Sequence, residues 1–339
     1  RVKEWINQTP DDAQLIACLS GGGSAYLTLP HNDVSLDDLV SLTKALQHAG
    51  ADIRELNCVR KHAEQLKGGR LGSMCAGPVR AYVLSDVLGD PLDVIASGPF
   101  HPDPSAYAEA LEVLARRSAQ GVAPAITELF QRGAAGREPE TPKTWDELGG
   151  PHRITHTIIA NNDSAVEAAC EALVSAGITV VQTRRRVEGN ASDVAITLAH
   201  DMCRAPSTGE HQAWIVGGEW VVDSRASTGV GGPSQELALA WAAHSAGFSD
   251  SYLMAFSTDG IDGPTNAAGA VVSGDTALQL AQAGVHAEAA LANHDSHSAL
   301  DKVNALIRTG PTGTNINHIA VGLKLSEGQP LLMSLGVQE

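Results

Sequence analysis

The apolar and polar positions of this chain fall into alternating strand-like and helix-like stretches. Residues 14–20 (QLIACLS) read as a buried strand that stops at three glycines. Residues 35–50 (SLDDLVSLTKALQHAG) have the period of a helix, with Ser35 as its N-cap. Leu36, Leu39, Leu42 and Leu46 form its apolar stripe and Gly50 its stop. Residues 51–69 (ADIRELNCVRKHAEQLKGG) predict a second helix ended by glycines, and residues 79–87 (VRAYVLSDV) a strand running into a Gly- and Pro-rich loop. The same alternation returns in HTIIANN, SAVEAACEALVSAG, TVVQT and ASDVAITLAHDMC (residues 156–203). Strands and helices at this spacing predict βαβ crossovers and a largely parallel, Rossmann-like sheet, hence the α/β class. Residues 131–153 and 204–212 are polar connections, and after the second the glycine turns come densely. The expected boundary therefore divides the chain into domains 1–205 and 206–339.

Composition narrows the function classes. The 339 residues are 43% hydrophobic and 18% charged, enough for two cored domains, and 34 glycines suit tight strand-to-helix turns. A net charge of −16 argues against nonspecific nucleic-acid or anionic-membrane binding, but not against a small anionic substrate held by local groups. The five cysteines are scattered without a CxxC pair, which predicts reduced thiols in a cytoplasmic protein. No apolar run reaches the roughly 18 residues of a membrane span.

Six segments carry candidate chemistry. Ser20, Gly21, Gly22, Gly23 and Ser24 end the first strand. Without Cβ atoms the backbone can approach an anion, and the residues alone fit a ligand cradle and a plain turn equally well. Neither a P-loop nor GxGxxG is present, since no Gly-Lys-Ser/Thr follows and Tyr26 stands at the last glycine's place. Arg60, Lys61, Lys67 and Arg70 form a basic island, with Arg60 and Lys67 expected on one helical face. Anion binding is favoured there over a solvated helix end. Asp86, just past a predicted strand, and Asp90 are candidates for holding Mg²⁺ or, for Asp86, accepting a hydroxyl proton, with capping as the alternative. Asp93 is expected to be structural or solvated. Gly231 and Gly232 precede a helix starting near Gln235, a second anion site, and Gly218 and Glu219 are expected in a turn between strands. Asp259, Gly260 and Asp262 lie in a Gly-rich loop whose two carboxylates suit a metal or a hydroxyl network, against an Asx turn as the alternative. His294 and His297 form an HxxH pair without further zinc ligands, so that capping by Asp295 and Ser296 is expected. The loop with Thr309, Thr312, Gly313, Thr314 and Asn315 offers polar contacts to nucleotide or substrate.

Taken in order, LSGGGSA, NCVRKH, KGGRL, LSDV, ASGP, GGE, GGPSQELAL, STDGIDGPTNAAGA, HDS and TGPTGTNIN resemble the class II glycerate kinases, from about Leu15 to Val321. Some members of that family are labelled hydroxypyruvate reductases. The resemblance implies two α/β domains, the second of MOFRL type, with the active site in the cleft between them. It implies phosphorylation of D-glycerate with ATP and Mg²⁺, usually at the 2-hydroxyl to give 2-phosphoglycerate. Asp86, Lys67 and Arg70 would be catalytic. Ser20–Ser24, Asn57, Arg60 and Lys61 would bind substrate, and Gly218, Glu219, Gly231, Gly232, Gln235, Asp259, Gly260, Asp262 and Thr312–Asn315 the nucleotide. A homodimer is one assembly left open.

Two departures qualify it. Members carry roughly a hundred further residues, a domain-scale piece, before the glycine loop, including a Gly-Lys-Ala segment with a lysine thought catalytic. Nothing here matches it, so the first domain is expected to be incomplete at its start. The family's GGRNQE also reads Gly231-Gly232-Pro233-Ser234-Gln235-Glu236, and proline supplies neither charge nor N–H. That implies weakened activity, or a noncatalytic relative that still binds nucleotide or another anion. A reductase would need GxGxxG after a strand, which is lacking.

Overall fold

A computed structural model of the chain describes residues 1–223, 227–248 and 250–326. Packing divides the chain into two compact units, Arg1–Ile159 and Ala160–Glu339. No helix among the described residues is long and apolar enough to cross a membrane.

The first unit contains α1 (Val2–Asn7), β1 (Leu15–Leu19), α2 (Gly23–Tyr26), α3 (Leu36–His48), α4 (Ile53–Ala63), α5 (Arg70–Met74), β2 (Val79–Leu84), α6 (Tyr107–Arg116), α7 (Pro124–Ala134) and β3 (Ile154–Ala160). Its three-stranded sheet has the order β1-β2-β3, and β1 lies parallel to β2 with Leu15 opposite Val79. The helix over residues 36–48 forms as its stripe predicts. Ser35 and Asp38 close a capping box, and Leu39, Leu42 and Leu46 pack with Val59, Tyr107, Ile126 and Phe130 in a helical core. A second cluster, including Leu71, Val79, Ala81 and Phe100, covers one face of the sheet. The strand β1 is half-buried rather than buried. Its side chains alternate, with Ile16 62% exposed. The second predicted helix stops at Ala63, short of the glycines. Glu64 turns extended and bridges Pro30, and Gln65 N–H donates to Leu29 O.

The second unit holds α8 (Asn162–Ser175), β4 (Thr179–Asn190), α9 (Ala191–Arg204), β5 (Gln212–Val221), α10 (Pro233–His244), β6 (Ser251–Ser257), β7 (Gly269–Ser273), α11 (Thr276–Gln282), α12 (Ala287–Ala292), α13 (Ser296–Lys302), β8 (Leu306–Ile307) and β9 (His318–Lys324). Its sheet runs β4-β5-β9-β6-β7-β8. It is mixed: β4 and β5 are parallel, and the remaining pairs are antiparallel. One large apolar cluster joins α9 and α10 to the sheet, and a smaller one includes Val166 of α8. Residues Ser234–Ala242 of α10 are buried on every side, which is why that helix lacks an amphipathic pattern.

The packing does not divide at the expected 205/206. Residues 160–205 carry α8, β4 and α9, and β4 pairs with β5 from Thr179 opposite Gln212 to Asn190 opposite Val221. The βα alternation continues unbroken across Ala160, so the sequence pattern offers no signal for the division there.

Candidate active site

In the first unit the glycine loop follows β1 directly. Gly22 takes a left-handed φ of +81° as the N-cap of α2. A Cβ on Gly23 would lie 2.6 Å from that of Ala96, so this glycine is required by close packing. The loop faces a second turn, where Ala96 and Ser97 are buried non-glycine residues at φ +51° and +60°. Backbone strain of this kind costs about 1–3 kcal/mol per residue and concentrates at functional sites. Ser97 Oγ donates to Asn57 Oδ1 at 2.7 Å, so Ser24 Oγ is the donor in its 3.0 Å contact with Ser97 Oγ. Asn57 is 2% exposed, and its Nδ2 has no partner among the described residues. The Lys-Gly-Gly-Arg turn closes this arrangement: Gly68 N–H donates to Ser97 O at 3.0 Å and Gly69 N–H to Gly98 O at 2.7 Å. Ser97 was not among the sequence candidates. Its signal was the Ala-Ser-Gly-Pro turn, read there only as part of a longer motif.

The basic island does not act as one patch. Lys67 is fully buried, and its Nζ donates to both oxygens of Glu64 at 2.5 and 2.6 Å and to Thr28 Oγ1 at 3.2 Å. Burial lowers the Lys67 pKa and raises that of Glu64. Since α4 ends at Ala63, Arg60 and Lys67 share no helical face. Lys61 Nζ donates to the fully buried Asp103 at 3.1 Å and lies 3.7 Å from Asp93, which makes Asp93 structural. Arg70 Nη2 reaches Tyr107 Oη at 3.1 Å and Pro139 O at 3.5 Å, while its Nε has no partner among the described residues. Arg60 makes no hydrogen bond or ion pair among the described residues, and burial lowers its pKa.

Asp86 stands two residues beyond β2, with Ser85 Oγ and Val87 folding the turn between. Burial raises its pKa. Asp90 adopts φ +55° and has an interaction of its own. Among the described residues no group of three or more His, Cys, Asp and Glu converges as a metal cage.

In the second unit, β5 and β6 end, and β9 begins, at one edge of the sheet, with Gly218 opposite His318 and His318 opposite Ser257. Gly218 and Glu219 lie within β5, not in a turn. A Cβ on Gly218 would meet Val187 O at 2.0 Å, so the glycine serves strand pairing. Glu219 accepts from Asn317 Nδ2 at 3.4 Å. Two loops, the one after β6 and the one before β9, knit together at this edge. Thr312 N–H donates to Asp259 O and its Oγ1 to Thr258 O. Gly260 packs against Gly310 O, and Thr314 N–H donates to Thr312 Oγ1. Gly313 is left-handed at φ +78°, and Asn315 Oδ1 accepts from Asn317 N–H.

The two carboxylates of the Gly-rich loop do not converge. Asp259 Oδ1 accepts from Ser257 Oγ and Ile261 N–H, the Asx-turn arrangement. Asp262 caps α10. Its Oδ1 takes Ser234 N–H at 3.0 Å, and its Oδ2 takes Gln235 N–H at 2.8 Å and Gln235 Nε2 at 3.0 Å. The helix N-terminus expected to bind a ligand anion there is filled by this side chain, which burial pushes up to about 6. Free donors remain beside it. The amides of Gly231, Gly232 and Ser296 donate to no described group, the buried hydroxyl of Ser296 has no partner among the described residues, and that of Ser234 lies beside the Asp262 carboxylate. A Cβ on Gly231 would lie 2.2 Å from Ser296 Oγ. Pro233 occupies the first helical turn, where its missing N–H costs least. Asp295 precedes α13 without a side-chain bond to its backbone, accepting instead from Val230 N–H and Ser298 Oγ.

Comparison with known proteins adds the family. Residues 1–131 match a domain of unknown function (DUF4147), and residues 212–318 match the MOFRL family. A glycerate 2-kinase of Pyrococcus horikoshii is 35% identical over 327 residues, 95% of this chain and 73% of its own. A relative from Agrobacterium vitis that carries a hydroxypyruvate reductase name is 36% identical over 317 residues, 91% of this chain and 69% of its own. The crystal structure of a glycerate kinase from Thermotoga maritima superposes with a TM-score of 0.83 at 37% identity, covering 96% of this chain and 76% of that one. Likeness of this extent, running through both units, makes the chain a member of the glycerate kinase family with a MOFRL domain.

Proposed function

We propose that the protein phosphorylates D-glycerate with ATP, giving 2-phosphoglycerate. The observation that carries this reading is the similarity, across both units, to proteins named glycerate kinase. The geometry supports it with an anion cradle. The Gly231, Gly232 and Ser296 amides and the Ser296 hydroxyl, which packs so closely on Gly231 that no Cβ would fit there, suit phosphate oxygens. In the first unit the Ser20–Ser24 loop, Asn57 and Ser97 offer hydrogen bonds to a hydroxy acid. Arg60, which makes no hydrogen bond among the described residues and has the Glu64 carboxylate as a charged neighbour, is the cation proposed for its carboxylate. Lys61 and Lys67 are assigned to holding the unit together.

Mg²⁺ commonly binds one or two carboxylates plus phosphate oxygens and water, and Asp86 fits that role through its half-buried carboxyl. When bound, the ion would neutralise charge on the transferring phosphoryl group. ADP release dependent on D-glycerate tests the reading, and its absence contradicts it.

A second reading rests on Pro233, which replaces the arginine expected from the family. Binding of ATP by calorimetry without turnover would favour a noncatalytic relative, and recovery of activity in Pro233→Arg would assign the cause.

A further inference from the structure

The N-terminus of α10 already holds a carboxylate, and the amide donors left over lie directly against it. The loop before α10 is pinned to the turn before α13. Thr228 N–H donates to Asn293 Oδ1 at 3.3 Å, Val230 N–H to Asp295 Oδ1 at 3.0 Å, and His297 N–H to Val230 O at 2.9 Å. This sets Gly231 against Ser296 Oγ and Gly232 against Asp262, whose Cγ would stand 2.4 Å from a Cβ on Gly232. The amides of Gly231 and Gly232, which donate to no described group, thus have a fully buried hydroxyl on one side and a carboxyl group 1% exposed on the other.

Asp262 is held by neutral donors: the Ser234 and Gln235 amides and Gln235 Nε2. No lysine, arginine or histidine pairs with it among the described residues. The titratable groups around it are Asp259 on its own loop, Glu236 on α10, and His294, Asp295 and His297 beside α13. His297 Nδ1 is bonded to Gln235 Oε1 at 2.8 Å and His294 Nδ1 to Glu236 Oε2 at 2.7 Å. When ionised, the Asp262 carboxylate cancels the positive end of the helix and repels a second anion at Gly232. When protonated it does neither, and Ser234 Oγ lies beside it to accept the hydrogen. Burial already favours the neutral form and raises its pKa to about 6.

We propose that this cradle takes up a phosphoanion together with one proton, which Asp262 holds. This rests on the reading of Gly231, Gly232 and Ser296 as a phosphate cradle. The proton comes from solvent, and no bond of the ligand changes. By linkage, the bound anion strengthens the hold of Asp262 on its proton by the same factor as the proton strengthens anion binding. Below about pH 6 the acid is neutral in the free protein and the anion binds at full strength. Above that, each unit of pH removes up to tenfold in affinity, until the anion binds beside an ionised carboxylate.

The test is NMR of the isotope-labelled whole protein titrated with sulfate between about pH 5 and 8, a range over which the charge of sulfate itself stays constant. Binding is followed at the Gly231, Gly232 and Ser296 amides, and protonation at the ¹³C resonance of the Asp262 carboxyl. The affinity at those amides is expected to rise by about tenfold or more as pH falls from 8 to 6, and to level off below. Saturating sulfate moves the Asp262 titration to higher pH, and Asp262→Asn binds sulfate with an affinity that no longer varies with pH. An affinity independent of pH in the parent, or a dependence that persists in Asp262→Asn, overturns the coupling and leaves the cradle standing. No response of the three amides at any pH overturns the cradle reading and the coupling with it. Should Asp262→Asn fail to fold, the parent's carboxyl resonance decides: a titration that sulfate leaves unmoved overturns the proposal.

Discussion

Lys67 is where burial and charge oppose each other most directly. Its ammonium is fully enclosed, and two oxygens of Glu64 and one of Thr28 are what make that tolerable. Removing one partner of such a pair leaves a buried charge unmatched. Lys67→Met is therefore expected to lower stability by about 3–5 kcal/mol in urea denaturation. The double variant Lys67→Met with Glu64→Leu should recover most of that loss. A Lys67→Met protein of parental stability but no activity would return this lysine to catalysis. The sequence shows four cations between Arg60 and Arg70. It does not show that Lys61 and Lys67 turn inward, because that follows from the helix ending at Ala63 and from acids at Glu64 and Asp103, the latter far along the chain.

At the scale of elements, glycines fix where loops meet. Gly232 caps α10, and a Cβ there would stand 2.4 Å from the Asp262 backbone and carboxyl carbons. Gly284, at φ +75°, faces open space. Gly232→Ala is expected to cost about 2–3 kcal/mol through overpacking, and Gly284→Ala about 1 kcal/mol through its backbone alone. Equal losses in thermal or chemical unfolding would contradict the close approach. Elements with local signals were legible in the sequence, such as the helix over residues 36–48 with its Ser35 cap and leucine stripe. The strand through Gly218 and Glu219 was not. Its glycines look like a turn until the parallel neighbour at Val187 is known. The pairing of the Ala-Ser-Gly-Pro turn with Gly68 and Gly69 was equally hidden, because it joins residues about thirty positions apart.

For the molecule as a whole, buried ionisable groups tie stability to pH. Burial drives the His318 imidazole down to about 4, despite the opposing charge of Asp259, and the ring packs on Trp220. An unfolded histidine titrates near 6.5, so this contribution is complete above that pH and is lost as pH falls toward 4. His156 has the same sign in the first unit. Asp262, raised to about 6, acts oppositely: the folded state prefers it protonated, and stability falls as pH rises from 3.8 to about 6. His318→Phe should remove a loss of roughly 3 kcal/mol on acidification from pH 6.5 to 4, and Asp262→Asn should make the parent's acid loss steeper. Differences from the parent that do not vary with pH would contradict both assignments.

The α/β class and the order of motifs were legible along the chain. The mixed sheet and the division at Ala160 required pairings between distant strands. The central claim, phosphoryl transfer to glycerate, is tested most directly by following ³¹P NMR of the protein with ATP, Mg²⁺ and D-glycerate. The account predicts 2-phosphoglycerate appearing in step with ADP. No phosphoglycerate and no glycerate-dependent ADP, with NADH oxidised when hydroxypyruvate is supplied instead, would contradict it.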